Sequence, residues 1–131
     1  MERKKVESDK APHAVGPYSQ AVIAAGKRHL FVSGQIGIDA GSGDFVADDL
    51  GLQTKKCLEN LLAIVRSAGG DRDSVVKTTV YLRRVDDFGV MNEVYSAFFE
   101  PPYPARSCVA VSGLPRGALI EIDAVAVLGG R

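Results

Sequence analysis

The chain has 131 residues, 46% of them hydrophobic, which suits one compact domain with its own core. Sixteen Lys and Arg balance sixteen Asp and Glu, and this argues against a general attraction to nucleic acid or to an anionic membrane, both of which need a basic excess or patch. The apolar runs fall far short of the roughly 20 residues that span a bilayer, and the start MERKKVESDKAP lacks the apolar segment of a secretory signal. A soluble protein of the cytoplasm is expected, with a mitochondrial location left open.

Residues 1–12 are polar and are expected to be loosely ordered. From Ser19 the pattern reads as strand: SQAVIAA, a turn at GKR, then HLFVSGQIGI. Together these predict an N-terminal hairpin with a bent second strand, followed by the glycine-containing turn DAGSGD. Asp48 or Asp49 can cap the next helix, in which Thr54, Leu58, Leu61, Leu62, Val65 and Ala68 form one apolar stripe. Cys57 falls in this helix as a small core or flank residue, and Gly69-Gly70 supplies a left-handed C-terminal cap.

SVVKTTVYLRR alternates as a strand does, with Val76, Thr78, Val80 and Leu82 on one face and Lys77, Thr79, Tyr81 and Arg83 on the other. Asp86-Asp87 opens a second helix, DDFGVMNEVYSAFF, whose stripe is Phe88, Asn92, Tyr95 and Phe99. Gly89 interrupts that helix at a cost of roughly 1 kcal/mol relative to alanine. Pro101-Pro102 closes it. RSCVAVS and LIEIDAVAVL are the final strands, joined through GLPRG.

The order β-β-α-β-α-β-β predicts a two-layer α+β domain over residues 1–131, with two helices on one face of a sheet. No repeat or linker divides it. In the last strand Ile120, Ile122, Ala124 and Ala126 share one face, and Glu121, Asp123, Val125 and Val127 the other. The helices can cover only the first set, so Val125 and Val127 call for another surface, most economically that of a second copy.

Arg106 and Cys108 lie two apart in a strand and look into the same space, a full charge beside a thiol on an apolar ribbon. The plain reading pairs Arg106 with Glu121 in a partly buried salt bridge between neighbouring strands, and takes Cys108 as a small hydrophobe. Cys57 and Cys108 have no metal-type spacing, and His13 and His29 add little, so no metal is expected. A disulfide between the two is disfavoured in a reducing cytosol. His13 and His29 receive no role.

PARSCV and LPRGALIEIDAVAV, with AVGPYSQAV, LFVSGQIGID, VVKTTVYL and DDFGVMNEVYSAFF in the same order, resemble the Rid/YjgF family of reactive-intermediate deaminases over nearly the whole chain. The resemblance implies a chorismate-mutase-like fold, a homotrimer with clefts between subunits, and no metal or cofactor. It implies hydrolysis of 2-imino acids such as 2-iminopropanoate and 2-iminobutanoate to 2-keto acids and ammonia. Arg106 then anchors the substrate carboxylate through a bidentate contact. Glu121 holds the attacking water and manages protons, which makes Arg106 and Glu121 the catalytic pair. The resemblance gives Cys108 a lining role, its backbone N–H meeting the carboxylate, and makes Tyr18 a cleft tyrosine. Ser33 and Gly34 line the pocket floor, and Asn92 is read as a cleft residue. Asp123 departs from the glutamate usual in this segment. Alternative functions are a non-catalytic binding or regulatory trimer, a translation-inhibiting ribonuclease, and a holdase; the presence of Arg106 favours the enzyme.

Overall fold

A computed structural model describes residues 2–129. The elements are β1 (Glu2–Val6), β2 (Ala21–Ala25), β3 (Arg28–Ile36), α1 (Leu50–Ser67), β4 (Val75–Leu82), α2 (Phe88–Phe98), β5 (Ala105–Ala110) and β6 (Ile120–Leu128). Strands β3, β6, β4 and β5 form one sheet in that spatial order, while β1 and β2 pair in a separate antiparallel ribbon. Strand β6 runs antiparallel to both its neighbours, and β4 runs parallel to β5. A parallel pair cannot be joined by a tight turn, and α2 supplies the crossover between these two.

The apolar residues of β6 decide where the helices lie. Ile120, Ile122 and Ala126 are fully buried, and they share one core with Leu58, Leu61 and Val65 of α1 and with Met91 and Tyr95 of α2. This is the expected two-layer α+β arrangement. Asp49 is the residue that caps α1, its carboxylate accepting from Leu52 N at 2.9 Å. Gly69, at φ +92°, ends the helix as its position predicts.

Several expectations are corrected. The start of the chain is not loose throughout, because ERKKV pairs with β2 (residue 1 lies outside the described residues). Main-chain pairing needs no apolar side chains, and lysines suit a strand with an open edge. The GKR turn closes no hairpin. Gly26 packs so tightly on the end of β6 that a Cβ there would stand 2.6 Å from Val127 Cγ1. The turn thus carries the chain from the ribbon into the sheet.

An irregularity in the β4/β6 register between Val75 and Lys77 moves the buried face by one residue. Val75 takes the inner position assigned to Val76, and regular alternation resumes through Thr78, Val80 and Leu82. Val127 is already buried within its own chain, so of the two valines only the half-buried Val125 remains on the open face. Helix α2 starts at Phe88, and neither Asp86 nor Asp87 makes a capping hydrogen bond. Finally, β5 and β6 are not neighbours: residues 111–119 pass over the end of β4, where Val111 N donates to Leu82 O and Arg83 N to Leu119 O.

Gly89 has nothing within 4 Å of where a Cβ would stand. Gly89→Ala should therefore raise stability by about 0.5–1 kcal/mol in urea denaturation at fixed protein concentration. Leu58→Ala, at a fully buried position, should lower it by about 2–5 kcal/mol in the same measurement.

Candidate active site

Arg106 lies directly opposite Thr78 in the β4/β5 pair, so its side chain enters the helix-covered side of the sheet. There it meets the N-terminal half of α2. Its Nη1 donates to Asn92 Oδ1 at 2.8 Å and approaches Met91 Sδ at 3.8 Å. Three rings surround the guanidinium: Tyr95 at 4.9 Å, Tyr18 at 5.4 Å and Phe88 at 5.6 Å from ring centre to Cζ. Tyr95 is locked in place by a 2.8 Å hydrogen bond to Thr78 Oγ1, and burial pushes its hydroxyl up to about 12. Tyr95 is thus a neutral phenol at physiological pH, stacked near a cation.

Among the described residues no carboxylate lies within 4 Å of Arg106. Both its side-chain contacts use Nη1, which leaves the Nε–Nη2 edge without a protein acceptor. That edge is a planar fork of the kind that binds a carboxylate with two parallel hydrogen bonds.

Glu121 occupies a different place. It stands opposite Tyr81 of β4 and Ile36 of β3, on the sheet face away from the helices. The salt bridge with Arg106 is not made: β4 separates the two strands, and the side chains point to opposite faces. Ser33 and Gly34 sit at the irregularity in β3 between Val32 and Gln35, both exposed. The Glu121 side chain lies across Gly34, where a Cβ would come 2.7 Å from Glu121 Cδ. Any larger residue at 34 would displace the carboxylate. On the same face Tyr81 donates its hydroxyl to Asp123 Oδ2 at 3.1 Å, an arrangement that raises the pKa of the phenol.

The seven candidate residues thus fall into two groups within one chain. Tyr18, Asn92, Arg106 and Cys108 form the first, on the helix side; Ser33, Gly34 and Glu121 form the second, on the open face. Sequence reasoning passed over Met91, Phe88 and Tyr95 as site residues. The signal was present, since Phe88, Asn92 and Tyr95 share the stripe of α2 that faces the arginine. His13 pairs with Asp9 at 3.1 Å on the surface, and His29 is exposed on β3; neither joins a group. Among the described residues no cluster of His, Cys, Asp and Glu could hold a metal.

A family model described as endoribonuclease L-PSP matches residues 8–128. The mouse protein named 2-iminobutanoate/2-iminopropanoate deaminase is 46% identical over 127 residues, covering 97% of this chain and 93% of the mouse protein. The chain belongs to the Rid/YjgF family. Among solved Rid/YjgF structures, RidA from an Antarctic Psychrobacter superposes with a TM-score of 0.75 at 39% identity, over 95% of this chain and 99% of that one. TdcF of E. coli with bound serine superposes with a TM-score of 0.73, also at 39% identity, over 96% of this chain and 99% of that one.

Both cysteines are free thiols. Burial holds Cys57 up to about 12, and burial also raises Cys108, with Arg106 pulling the other way. The thiolate is the reactive form. Native protein at pH 8 should therefore alkylate at Cys108 more slowly than a free cysteine does, and at Cys57 only after unfolding, as read by mass spectrometry of iodoacetamide adducts. Alkylation of Cys108 faster than the free amino acid would contradict this assignment.

Proposed function

We propose that the protein hydrolyses small 2-imino acids, including 2-iminopropanoate and 2-iminobutanoate, to 2-keto acids and ammonia, in clefts between the subunits of a homotrimer. The observation that carries this reading is the unpaired Nε–Nη2 edge of Arg106 inside a ring of aromatic side chains. A half-buried guanidinium without a counter-ion is costly, and a substrate carboxylate removes that cost. Relatives named as deaminases of these imines, and a relative that holds serine, point to the same class of ligand: a carboxylate with nitrogen on the next carbon.

The division of the candidate residues explains why assembly belongs to the proposal. Arg106 brings the carboxylate to the helix-side group of one subunit, and Glu121 can reach the same substrate only from a neighbour. The open face supplies the means. Phe31, opposite Val125, is 75% exposed, and Val109, opposite Tyr81, is 47% exposed, so apolar surface flanks Glu121 in the sheet. A soluble chain is expected to cover such a face.

In the reaction, Arg106 and the Cys108 N–H hold the carboxylate, and Tyr18 closes over it. Asn92 fixes the guanidinium from behind. Glu121 of the neighbouring subunit, with Ser33 and Gly34, positions a water against the imine carbon. Glu121 takes a proton from the water as the C–O bond forms and the C=N bond becomes C–N, and returns it to the nitrogen. As the C–N bond then breaks and the keto group forms, Glu121 accepts the hydroxyl proton, which leaves with the departing ammonia as ammonium. The protonated imine is already electrophilic, so positioning carries most of the rate effect, up to about 7–11 kcal/mol in ideal cases. No step draws on a metal or cofactor. The compartment proposed is the cytoplasm; no described helix is long and apolar enough to cross a membrane.

The test generates 2-iminopropanoate from serine with a dehydratase and times its decay. Arg106→Ala should lower the catalysed rate by about 30-fold to several thousand-fold, the cost of losing a hydrogen-bonded charge partner. Arg106→Lys should rescue little, since an ammonium lacks the planar fork. Glu121→Gln should lower turnover while a keto-acid product still binds. Cys108→Ala should keep much of the activity, and prolonged chelation should leave the rate unchanged. The mechanism is falsified if Cys108→Ala abolishes turnover in a folded assembly while Arg106→Ala leaves it intact.

A further inference from the structure

Arginines in this protein are well supplied with acceptors, with two exceptions among the described residues. Arg28, Arg66, Arg83, Arg84, Arg106 and Arg116 each direct a guanidinium nitrogen at an oxygen. Arg3 and Arg72 do not, although both are partly buried and each has a buried Nε with no hydrogen-bond partner. A guanidinium carries five donors, and withdrawing it from water without acceptors is unfavourable.

Both side chains line the same cavity, about 600 Å³ in volume, between β1, the turn after α1 and the end of α2. The guanidinium of Arg72 is held by stacking 4.8 Å over the Phe98 ring. Phe99, Pro101 and Pro102 give the cavity an apolar wall. Three carboxylates also line it, and none forms an ion pair with the Arg3 or Arg72 side chain. Asp71 is spent, accepting from Arg66 Nε at 3.2 Å and from Arg72 N at 2.8 Å. Asp73 and Glu100 are exposed and form no ion pair with either arginine. Burial lowers the pKa of Arg3, with Asp73 and Tyr95 opposing that shift. Arg3 and Arg72 are thus partly buried, whereas the three carboxylates that line the cavity with them are exposed.

We propose that this cavity is a second anion site, distinct from the Arg106 cluster, which takes a small carboxylate or phosphate carrying an apolar body. Arg3 and Arg72 supply the donors, and Phe99 with the two prolines contacts the apolar part. The cavity is far larger than an inorganic anion needs, and its apolar wall gives the organic portion a surface to cover. None of its lining residues belongs to the groups that carry imine hydrolysis, so the two sites can be tested separately.

The experiment titrates the full-length protein with phenyl phosphate, inorganic phosphate and, as the uncharged control, phenol, following the arginine Nε–H signals by NMR. Saturable shifts at Arg3 and Arg72 with phenyl phosphate and none with phenol are expected. Arg72→Gln should weaken binding by at least about tenfold, the loss of one charge-assisted contact. Arg3→Gln should do the same and serves if the Arg72 variant fails to fold. Asp73→Asn should tighten binding, because it removes an exposed lining carboxylate that repels the ligand. Imine hydrolysis by these variants should be unchanged. The proposal is overturned if the Arg3 and Arg72 signals do not move, if they move equally with phenol, or if binding survives both substitutions undiminished.

Discussion

Strand β4 stands between β5 and β6, and side chains on a strand alternate between the two faces of its sheet. Those two facts separate the candidate residues into two groups. Arg106 pairs with Thr78 and so faces the helices; Glu121 pairs with Tyr81 and so faces away. If Arg106 anchors the substrate carboxylate and Glu121 holds the water, as proposed, one chain carries them on opposite faces and cannot bring them to one substrate. The exposed apolar residues around Glu121 support the proposal of a partner, since the surface proposed to complete the chemistry is also apolar surface that a second copy would cover.

Keeping the two charges apart has a further consequence. Had Arg106 and Glu121 met in a partly buried pair, each would have neutralised the other, and neither would have been free for substrate or water. Instead Arg106 rests on neutral groups: an amide oxygen, a thioether and three aromatic faces. Such partners steady a cation without cancelling its charge. The Tyr95–Thr78 hydrogen bond holds the nearest ring, so the guanidinium packs against a fixed neighbour. On the other face Gly34 does comparable work by having no side chain, since the Glu121 carboxyl group lies where a Cβ would be.

Local patterns carried much of this into the sequence. The stripe of α1, the alternation of β4 and the inner face of β6 follow from periodicity, and the helix-side core appears as they predict. What failed depended on which strands become neighbours. Nothing in RSCVAVS or LIEIDAVAVL says that β4 will separate them, because pairing across a crossover is set by the packing of α2 rather than by either strand. ERKKV looked like a loose start because its charges hide a pairing made by the main chain. The one-residue shift at Val75 and Val76 is likewise invisible to a strict alternation, since an irregular register leaves no mark in composition. The aromatic setting of Arg106 is half legible: Asn92 stands out on its helical stripe, while Phe88 and Tyr95 on the same stripe receive no role from the sequence.

In the proposed trimer each working site draws Arg106 from one subunit and Glu121 from the next. The most direct test mixes Arg106→Ala and Glu121→Gln subunits, unfolded and refolded together, and measures 2-iminopropanoate hydrolysis. If a site spans two subunits of a cyclic trimer, every mixed trimer contains one cleft with both residues intact, and random assembly should restore roughly a quarter of the wild-type rate from two inactive parents. If both residues instead served one site within a single chain, no cleft would be whole, and the mixture would stay as inactive as its components.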